Sequence, residues 1–352
     1  MVYLSLNFNN LNAQISNYSN EFLNIGVDAA SISKANSVVA SISGVNSTYW
    51  NPAGLLNSDK QLSVALMHSN YFSGLAQYDF LSSSYKINDS LAIAFSIIRF
   101  GVDDIQNTLN LIDENGHVDY DRISYFSVAD YAFLFSINKK LAIKNLSVGA
   151  NLKLIYRRQG DFANAYGIGF DIGVQYKINN WQTAAVLRDA SSTFNIWIFN
   201  EKLFKDVFTE TNNEIPKNSL ELTLPKLLLG IARNFNLNKK ISFITEIDID
   251  FSFSGQTHSI ISFNPISIEP HFGFEFSYLK SVFIRGGVNN FQFIEDFDNS
   301  KKLNFQPTIG IGFSVFDFSL DYALTDLGDM TIAPLSHIFS LNYKFNLKKY
   351  KK

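Results

Sequence analysis

The amino-acid sequence predicts an all-β fold: a 14-stranded antiparallel transmembrane β-barrel with an N-terminal hatch in its lumen. Three observations point there. Between Asn164 and Ile178, Tyr166, Ile168, Phe170, Ile172, Val174 and Tyr176 fall on one face. Ala165, Gly167, Gly169, Asp171, Gly173 and Gln175 fall on the other. Period-two alternation marks a strand with two unlike faces, and it recurs along nearly the whole chain. Second, aromatic residues make up 15% of the sequence, with 33 Phe and 16 Tyr, yet only 17% of residues are charged. Soluble domains usually carry about a quarter of charged residues. Third, no stretch approaches the roughly 18 uninterrupted apolar residues of a transmembrane helix. The longest cluster is Leu227-Leu228-Leu229-Gly230-Ile231-Ala232. Many apolar residues without an apolar run are the signature of a membrane barrel.

Fourteen segments read as strands, near 61–71, 76–87, 90–101, 124–137, 144–159, 164–178, 181–190, 220–235, 240–252, 267–279, 281–290, 305–315, 317–325 and 335–346. The ninth sets Ile241, Phe243, Ile247, Ile249 and Phe251 against Ser242, Glu246, Asp248 and Asp250. The tenth sets Phe272, Phe274 and Phe276 against His271, Gly273 and Glu275, and the thirteenth opposes Phe318, Leu320 and Tyr322 to Asp317, Ser319 and Asp321. Carboxylates on these faces would be costly in lipid and are at ease in a wet lumen. The connections keep a rhythm. After even-numbered strands they are tight (88–89, 179–180, 236–239, 280, 316); after odd-numbered strands they include the long ones (102–123, 191–219, 253–266, 291–304, 326–334). Barrels of this type put short turns on the periplasmic side and long loops outside, and an even strand count leaves no open edge. The last strand ends in Leu341-x-Tyr343-x-Phe345, followed by a basic tail, 347–352.

Residues 1–14 lack a basic start and a good apolar centre, so they do not form a complete signal peptide. Leu11-Asn12-Ala13-Gln14 ends like a cleavage site, so this stretch reads as a residual export signal or a disordered tail. Residues 15–60 do not alternate and are too few to fold alone; they read as a hatch that plugs the barrel 61–346. Asp28 would cap a helix over 29–39, leading to the motif Trp50-Asn51-Pro52-Ala53-Gly54. Gly167, Gly169 and Gly173 on a lumen face either admit the hatch backbone or relieve strand curvature.

At this point a family resemblance emerges. Ser19-Asn20-Glu21-Phe22-Leu23-Asn24-Ile25-Gly26, followed by Tyr49-Trp50-Asn51-Pro52-Ala53-Gly54-Leu55, resembles the opening of the PorV/PorQ family of FadL-like outer-membrane barrels from Bacteroidetes. The likeness continues through Arg99-Phe100-Gly101-Val102-Asp103-Asp104-Ile105, Ser127-x-Ala129-Asp130-Tyr131-Ala132, Arg188-Asp189-x-Ser191-x-Thr193-Phe194-Asn195-x-Trp197, Leu224-Pro225 and Asp321-Tyr322-Ala323-Leu324. It implies a fourteen-stranded barrel whose hatch includes Asn51, Pro52 and Ala53. The chain departs from its relatives at 28–36, where they carry small and glycine-rich residues. The PorV branch implies a non-enzymatic accessory of type IX secretion that carries proteins bearing a C-terminal signal, and the PorQ branch a part of the attachment machinery. Other FadL-like barrels admit hydrophobic small molecules.

Nothing in the chain suggests enzyme chemistry or a cofactor. His68, His117, His258, His271 and His337 are scattered without ligand spacing, and no nucleophile-elbow, P-loop or dinucleotide motif occurs in context. The absence of cysteine excludes disulfides and thiolate metal sites. A net charge of −3 argues against a nucleic-acid partner. Glu246, Asp248 and Asp250 read as a solvated ladder in the lumen.

Two loops are candidate working surfaces. The acidic loop 102–123 carries Asp103, Asp104, Asp113, Asp119 and Asp121, a weak Ca²⁺ candidate without the twelve-residue hand spacing; an ordinary acidic surface is the plainer reading. Loop 191–219 is apolar through Phe194, Trp197, Phe199, Phe204 and Phe208. Such a patch marks a protein contact, a fold-back over the barrel mouth, or a helix lying at the membrane interface. The preferred function is a protein-binding accessory of type IX secretion in the outer membrane, in contact with lipid and with secretion components or secreted proteins. The alternative is a FadL-like channel for uptake of hydrophobic small molecules. The N-terminus and short turns are expected on the periplasmic side.

Overall fold

The computed structural model describes residues 13–15, 19–71, 74–109, 111–112, 116–203, 218–253, 261–263, 265–295, 301–325 and 335–346. The sheet closes on itself through fourteen antiparallel wall strands. They are β1 (Leu62–Tyr71), β2 (Ala76–Asn88), β3 (Leu91–Asn107), β4 (Ser124–Lys140), β5 (Leu146–Gln159), β6 (Ala163–Ile178), the two-part strands β7 (Trp181–Arg188, then Thr193–Phe199) and β8 (Ser219–Thr223, then Lys226–Asn236), β9 (Ile241–Ser252), β10 (Ile266–Tyr278), β11 (Val282–Glu295), β12 (Lys301–Val315), β13 (Phe318–Thr325) and β14 (Ser336–Phe345). Each wall strand pairs with the next, and β14 returns to β1 with Leu341 opposite Leu66, so the wall has no free edge. Connections after even-numbered strands gather at one end as short turns. The long ones lie at the other, as the sequence predicts.

The burial pattern is inverted relative to a soluble protein. On β6, Ile168, Phe170 and Ile172 are 46%, 44% and 48% exposed, whereas Asp171 and Gln175 are 5% and 1% exposed. Apolar side chains on the outside and polar ones inside are stable only when the outside is hydrocarbon. Rings cluster toward the strand ends. Tyr131 stacks on Tyr156 at 6.1 Å and Tyr156 meets Tyr166 at 5.4 Å near the long loops, while Phe318 stacks on Tyr343 at 4.2 Å near the short turns. These are the two aromatic girdles of a membrane barrel.

One part of the wall departs from the regular ladder. The second half of β6 pairs with the first part of β7, Ile172 opposite Leu187, and the first half pairs with the second part, Ile168 opposite Phe194. Residues 188–193 therefore stand opposite only 169–171. β7 is one stave with an excursion at 189–192, where Asp189 and Ser192 have φ of 53° and 61°, and β8 bends beside it at Leu224-Pro225. The expected loop 191–219 is thus shorter than the sequence implies. Its first residues, Thr193–Phe199, and its last, at Ser219, belong to the wall.

Inside the barrel sit residues 19–60. They form two short helices, α1 (Ala29–Ile32) and α2 (Ser47–Trp50), and 3-10 turns at Glu21–Leu23, Gly44–Asn46 and Pro52–Asn57. The helix expected over 29–39 stops after one turn. Asp28 makes no capping bond to it; its carboxylate accepts instead from Ser31 Oγ at 2.9 Å and from Ser340 Oγ at 3.0 Å. Ala35 and Asn36 then turn left-handed, φ 54° and 64°, and the following amides leave the helical path for the wall. Ala13–Ile15 form a short strand parallel to Ser219–Thr223. Ala13 and Gln14, read as part of a tail, are thus in the sheet, at the long-loop end rather than beside the short turns. Residues 1–12 and the basic tail 347–352 lie outside the described residues.

The lipid-facing row of β6 makes a graded prediction. Phe170→Arg, near the middle of the strand, is expected to cost about 2–4 kcal/mol of stability in vesicles, and Tyr166→Arg, nearer the long-loop end, about 0–1 kcal/mol. Urea unfolding of both variants checks it; equal costs would place the hydrocarbon layer elsewhere.

Candidate functional site

The hatch and its seat hold most of the buried polar chemistry among the described residues. Four consecutive hatch amides face β9. Val38 and Val39 donate their N–H groups to Asp248 Oδ2 at 2.7 and 2.9 Å. Ala40 and Ser41 donate to Glu246 Oε1 at 2.6 and 3.2 Å. Successive amides turned to one side make an anion-binding nest, and bonds to a carboxylate are the strong kind. Both carboxylates are 1% exposed. The solvated ladder expected from the sequence is therefore corrected: Glu246 and Asp248 are buried latches. Asp250, farther along β9, stands 3.7 Å from His271 Nε2, while His271 Nδ1 lies 3.0 Å from the hatch carbonyl of Ala35.

The motif residues form the hatch floor near the short turns. Asn51 is fully buried and caps the 3-10 turn: its Oδ1 accepts from Ala53 N at 3.1 Å, and its Nδ2 donates to the carbonyls of Val39 and Val174 at 3.0 and 3.3 Å. Trp50 Nε1 donates to Val27 O at 3.0 Å. The Ala53 carbonyl accepts from Asn138 Nδ2 at 3.0 Å and Ser147 Oγ at 2.6 Å. Gln175 Nε2 donates to the hatch carbonyls of Ala40 and Ile42 at 2.7 and 3.0 Å. Close approach demands glycine in the wall: a Cβ at Gly149 would overlap the Pro52–Ala53 peptide, and one at Gly173 would overlap Asn51 Oδ1. Of the three glycines singled out in the sequence, only Gly173 meets the hatch. Gly167 and Gly169 make room for Asn195 and Thr193 of the neighbouring strand, so there the partner is the wall itself.

The opposite side of the hatch is apolar. Phe22, Leu23, Val27, Ile32, Tyr49 and Trp50 pack against Met67, Tyr78, Phe80, Ile98, Leu134 and Ile155 of β1–β5. Tyr49 and Trp50 meet edge to face with centroids 4.7 Å apart. Burial pushes the Tyr49 phenol above its ordinary pKa, with Arg188 opposing in part; it stays neutral and donates to Leu23 O. Arg188, at the end of β7's first part, lies over the Tyr49 ring at 4.9 Å and donates to the Tyr49 carbonyl at 3.3 Å. It ties the hatch to the wall excursion. The excursion is itself held by charge. Lys153 pairs with Asp171 at 2.9 Å and with Asp189, Asp189 N donates to Asp171 Oδ1 at 2.9 Å, and Thr193 Oγ1 donates to Asp189 Oδ1. Buried charges are tolerable only when matched and bonded in this way.

The candidate loop residues do not form one patch. Phe194 faces outward, 43% exposed, beside Ile196 and Ile198. Trp197 faces inward, 9% exposed, with its Nε1 donating to Glu221 Oε2 and Arg157 4.9 Å over its ring. Phe199 stacks on Trp197 at 6.2 Å, and Phe204 and Phe208 lie outside the described residues. In the acidic segment, Asp103 and Asp104 belong to β3, Asp103 lying 3.7 Å from Arg99 and Asp104 at a bulge with φ 58°. Asp119 caps the turn Tyr120–Arg122, accepting from the amide of Asp121 at 3.1 Å and pairing with Arg122 at 3.1 Å. Asp113 lies outside the described residues. Among those described, no three His, Asp or Glu side chains gather as a metal-binding group.

Comparison with solved structures shows what this architecture is. The chain superposes on the CymD monoaromatic hydrocarbon channel with a TM-score of 0.56 at 12% identity, over 92% of this chain and 98% of that one. For the toluene transporter TbuX of Ralstonia pickettii the values are 0.51, 13%, 91% and 98%. For a Pseudomonas aeruginosa FadL homologue they are 0.52, 11%, 91% and 98%. The fold is that of the FadL-type transmembrane barrels. At such identities the likeness is one of fold. No protein-family model matches the chain, and neither does any curated protein. These neighbours speak for the FadL-like part of the sequence resemblance; they do not single out PorV/PorQ or a secretion role.

The latch can be tested directly. Hydrogen bonds to charged groups contribute about 1.5–3 kcal/mol each. Glu246→Ala combined with Asp248→Ala should accordingly speed hydrogen exchange of the amides of residues 38–41 by about ten- to a hundredfold. Unchanged exchange would mean that these amides are protected by something other than the two carboxylates.

Proposed function

We propose that this chain is an integral outer-membrane barrel that admits small hydrophobic molecules, with residues 19–60 as the hatch they must pass. One observation carries the reading: an apolar, aromatic seam joins the hatch to β1–β5. Water-filled porins line their lumen with polar groups, whereas a hydrophobic solute needs an apolar path. The fold likeness to hydrocarbon channels supports the same reading. In this arrangement the short turns face the periplasm and the long loops the exterior. The secretion-accessory reading, with translocon subunits or signal-bearing proteins as partners, rests on the sequence resemblance to PorV/PorQ; co-purification of secretion components from the native membrane tests it.

A staple tests the hatch. Thr48 Oγ1 and Ser96 Oγ lie 2.8 Å apart across the hatch–wall seam, and the chain has no other thiol to interfere. Thr48→Cys with Ser96→Cys should form a disulfide on oxidation. Uptake of toluene into vesicles carrying the oxidised variant is expected to fall at least about tenfold and to recover on reduction, as for a gate whose open form is excluded. Equal uptake in both redox states would sink the gating role.

A further inference from the structure

At the short-turn end the lumen opens into a cavity of about 370 Å³ lined by Lys140, Lys144 and Lys177 with Asn57, Gln175 and Ser147. Among the described residues no carboxylate lines it. Elsewhere in the barrel Lys153 is matched by Asp171 and Arg285 by Asp321. Here three lysines share one cavity, Lys177 half-buried and Lys140 and Lys144 exposed at its rim. Lys140 and Lys177 occupy lumen-facing positions, two residues beyond Asn138 and Gln175, whose side chains hold the hatch. Like charges gathered in a partly desolvated recess repel, and an anion bound among them removes the repulsion.

We infer that the short-turn mouth of the barrel is a binding site for a small soluble anion bearing several negative oxygens, of the organic phosphate or tricarboxylate kind. Its volume lies in the range of small-ligand pockets, and a concave recess of this size suits such a molecule better than it suits a long acidic peptide. The two lumen-facing lysines place the occupant in the aqueous compartment rather than among lipid headgroups. The site also touches the hatch. Asn57 Nδ2 donates to Gln175 Oε1 at 2.9 Å, and Gln175 in turn holds the carbonyls of Ala40 and Ile42. An anion seated here packs against the amide pair that secures the hatch floor. This inference is independent of what the barrel transports.

Calorimetric titration of the full chain in a zwitterionic detergent tests it, with inorganic pyrophosphate, citrate and a poly-glutamate peptide as separate probes. Saturable binding of pyrophosphate or citrate is expected, weakened about tenfold or more by Lys140→Gln with Lys177→Gln, since each lost charge-assisted bond contributes over about 1.4 kcal/mol. Lys139→Gln, on the outer face of the same strand, should leave the affinity unchanged. All three lysines lie at the rim, and heat-modifiable migration verifies that the variants fold. No saturable binding at millimolar concentration, an equal loss in Lys139→Gln, or binding of the peptide alone would overturn the proposal.

Discussion

A backbone amide enclosed in a water-poor lumen has to find an acceptor, and the seating of the hatch follows from that requirement. Residues 38–41 run past the wall in a conformation that leaves four N–H groups without partners in their own segment. Asp248 and Glu246 supply the acceptors. The need is mutual, because two carboxylates buried side by side would be ruinous without donors. Neither the hatch segment nor the acidic face of β9 can be buried alone. Together they fix where the hatch sits, and the glycines of the wall accept the consequence of so close an approach.

The lumen is thus divided into two kinds of contact. Toward β9 and the hatch floor the bonds are directional and short, made by Glu246, Asp248, Asn51 and Gln175. Toward β1–β5 the hatch packs an apolar, aromatic cluster, crossed by a few bonds such as Ser96 Oγ to Thr48 Oγ1. Apolar contacts are lost in proportion to area and tolerate sliding, whereas a bond to a buried carboxylate is lost outright when its geometry fails. A displacement of the hatch that costs least therefore keeps the β9 side in place and parts the aromatic seam. The charged excursion at 188–193, tied to Tyr49 through Arg188, stands beside that seam.

Strand order, strand faces and the existence of a plug were legible because period-two alternation survives in single residues such as Phe170 against Asp171. The excursion in β7 was missed. Asp189-Ala190-Ser191-Ser192 carries the composition of a turn, and the chain does turn there, yet it re-enters the same stave. The signal was present beyond it, in Phe194, Ile196 and Ile198 against Thr193, Asn195 and Trp197. The helix expected over 29–39 failed for a different reason. Local propensity favours it, but acceptors some two hundred positions away compete for the same amides. That partnership leaves no mark in the hatch sequence, because what the wall binds is backbone. Glu246 and Asp248 look identical as sequence whether they meet water or an amide nest.

The closing pair of the wall carries a consequence for how the molecule is assembled. β14 joins β1 near Ser69 and His337, which are 268 positions apart, so this seam closes the largest loop among the paired wall strands. Loop-closure entropy disfavours early formation of such contacts. The hatch bonds to β9 and, through Ser340, to β14 itself; once the ring is shut, it could enter only by threading through an end. The order of events is thereby constrained. The N-terminal segment must already lie against the open curved sheet when the last seam zips, which makes the plug a mandrel around which the cylinder is formed.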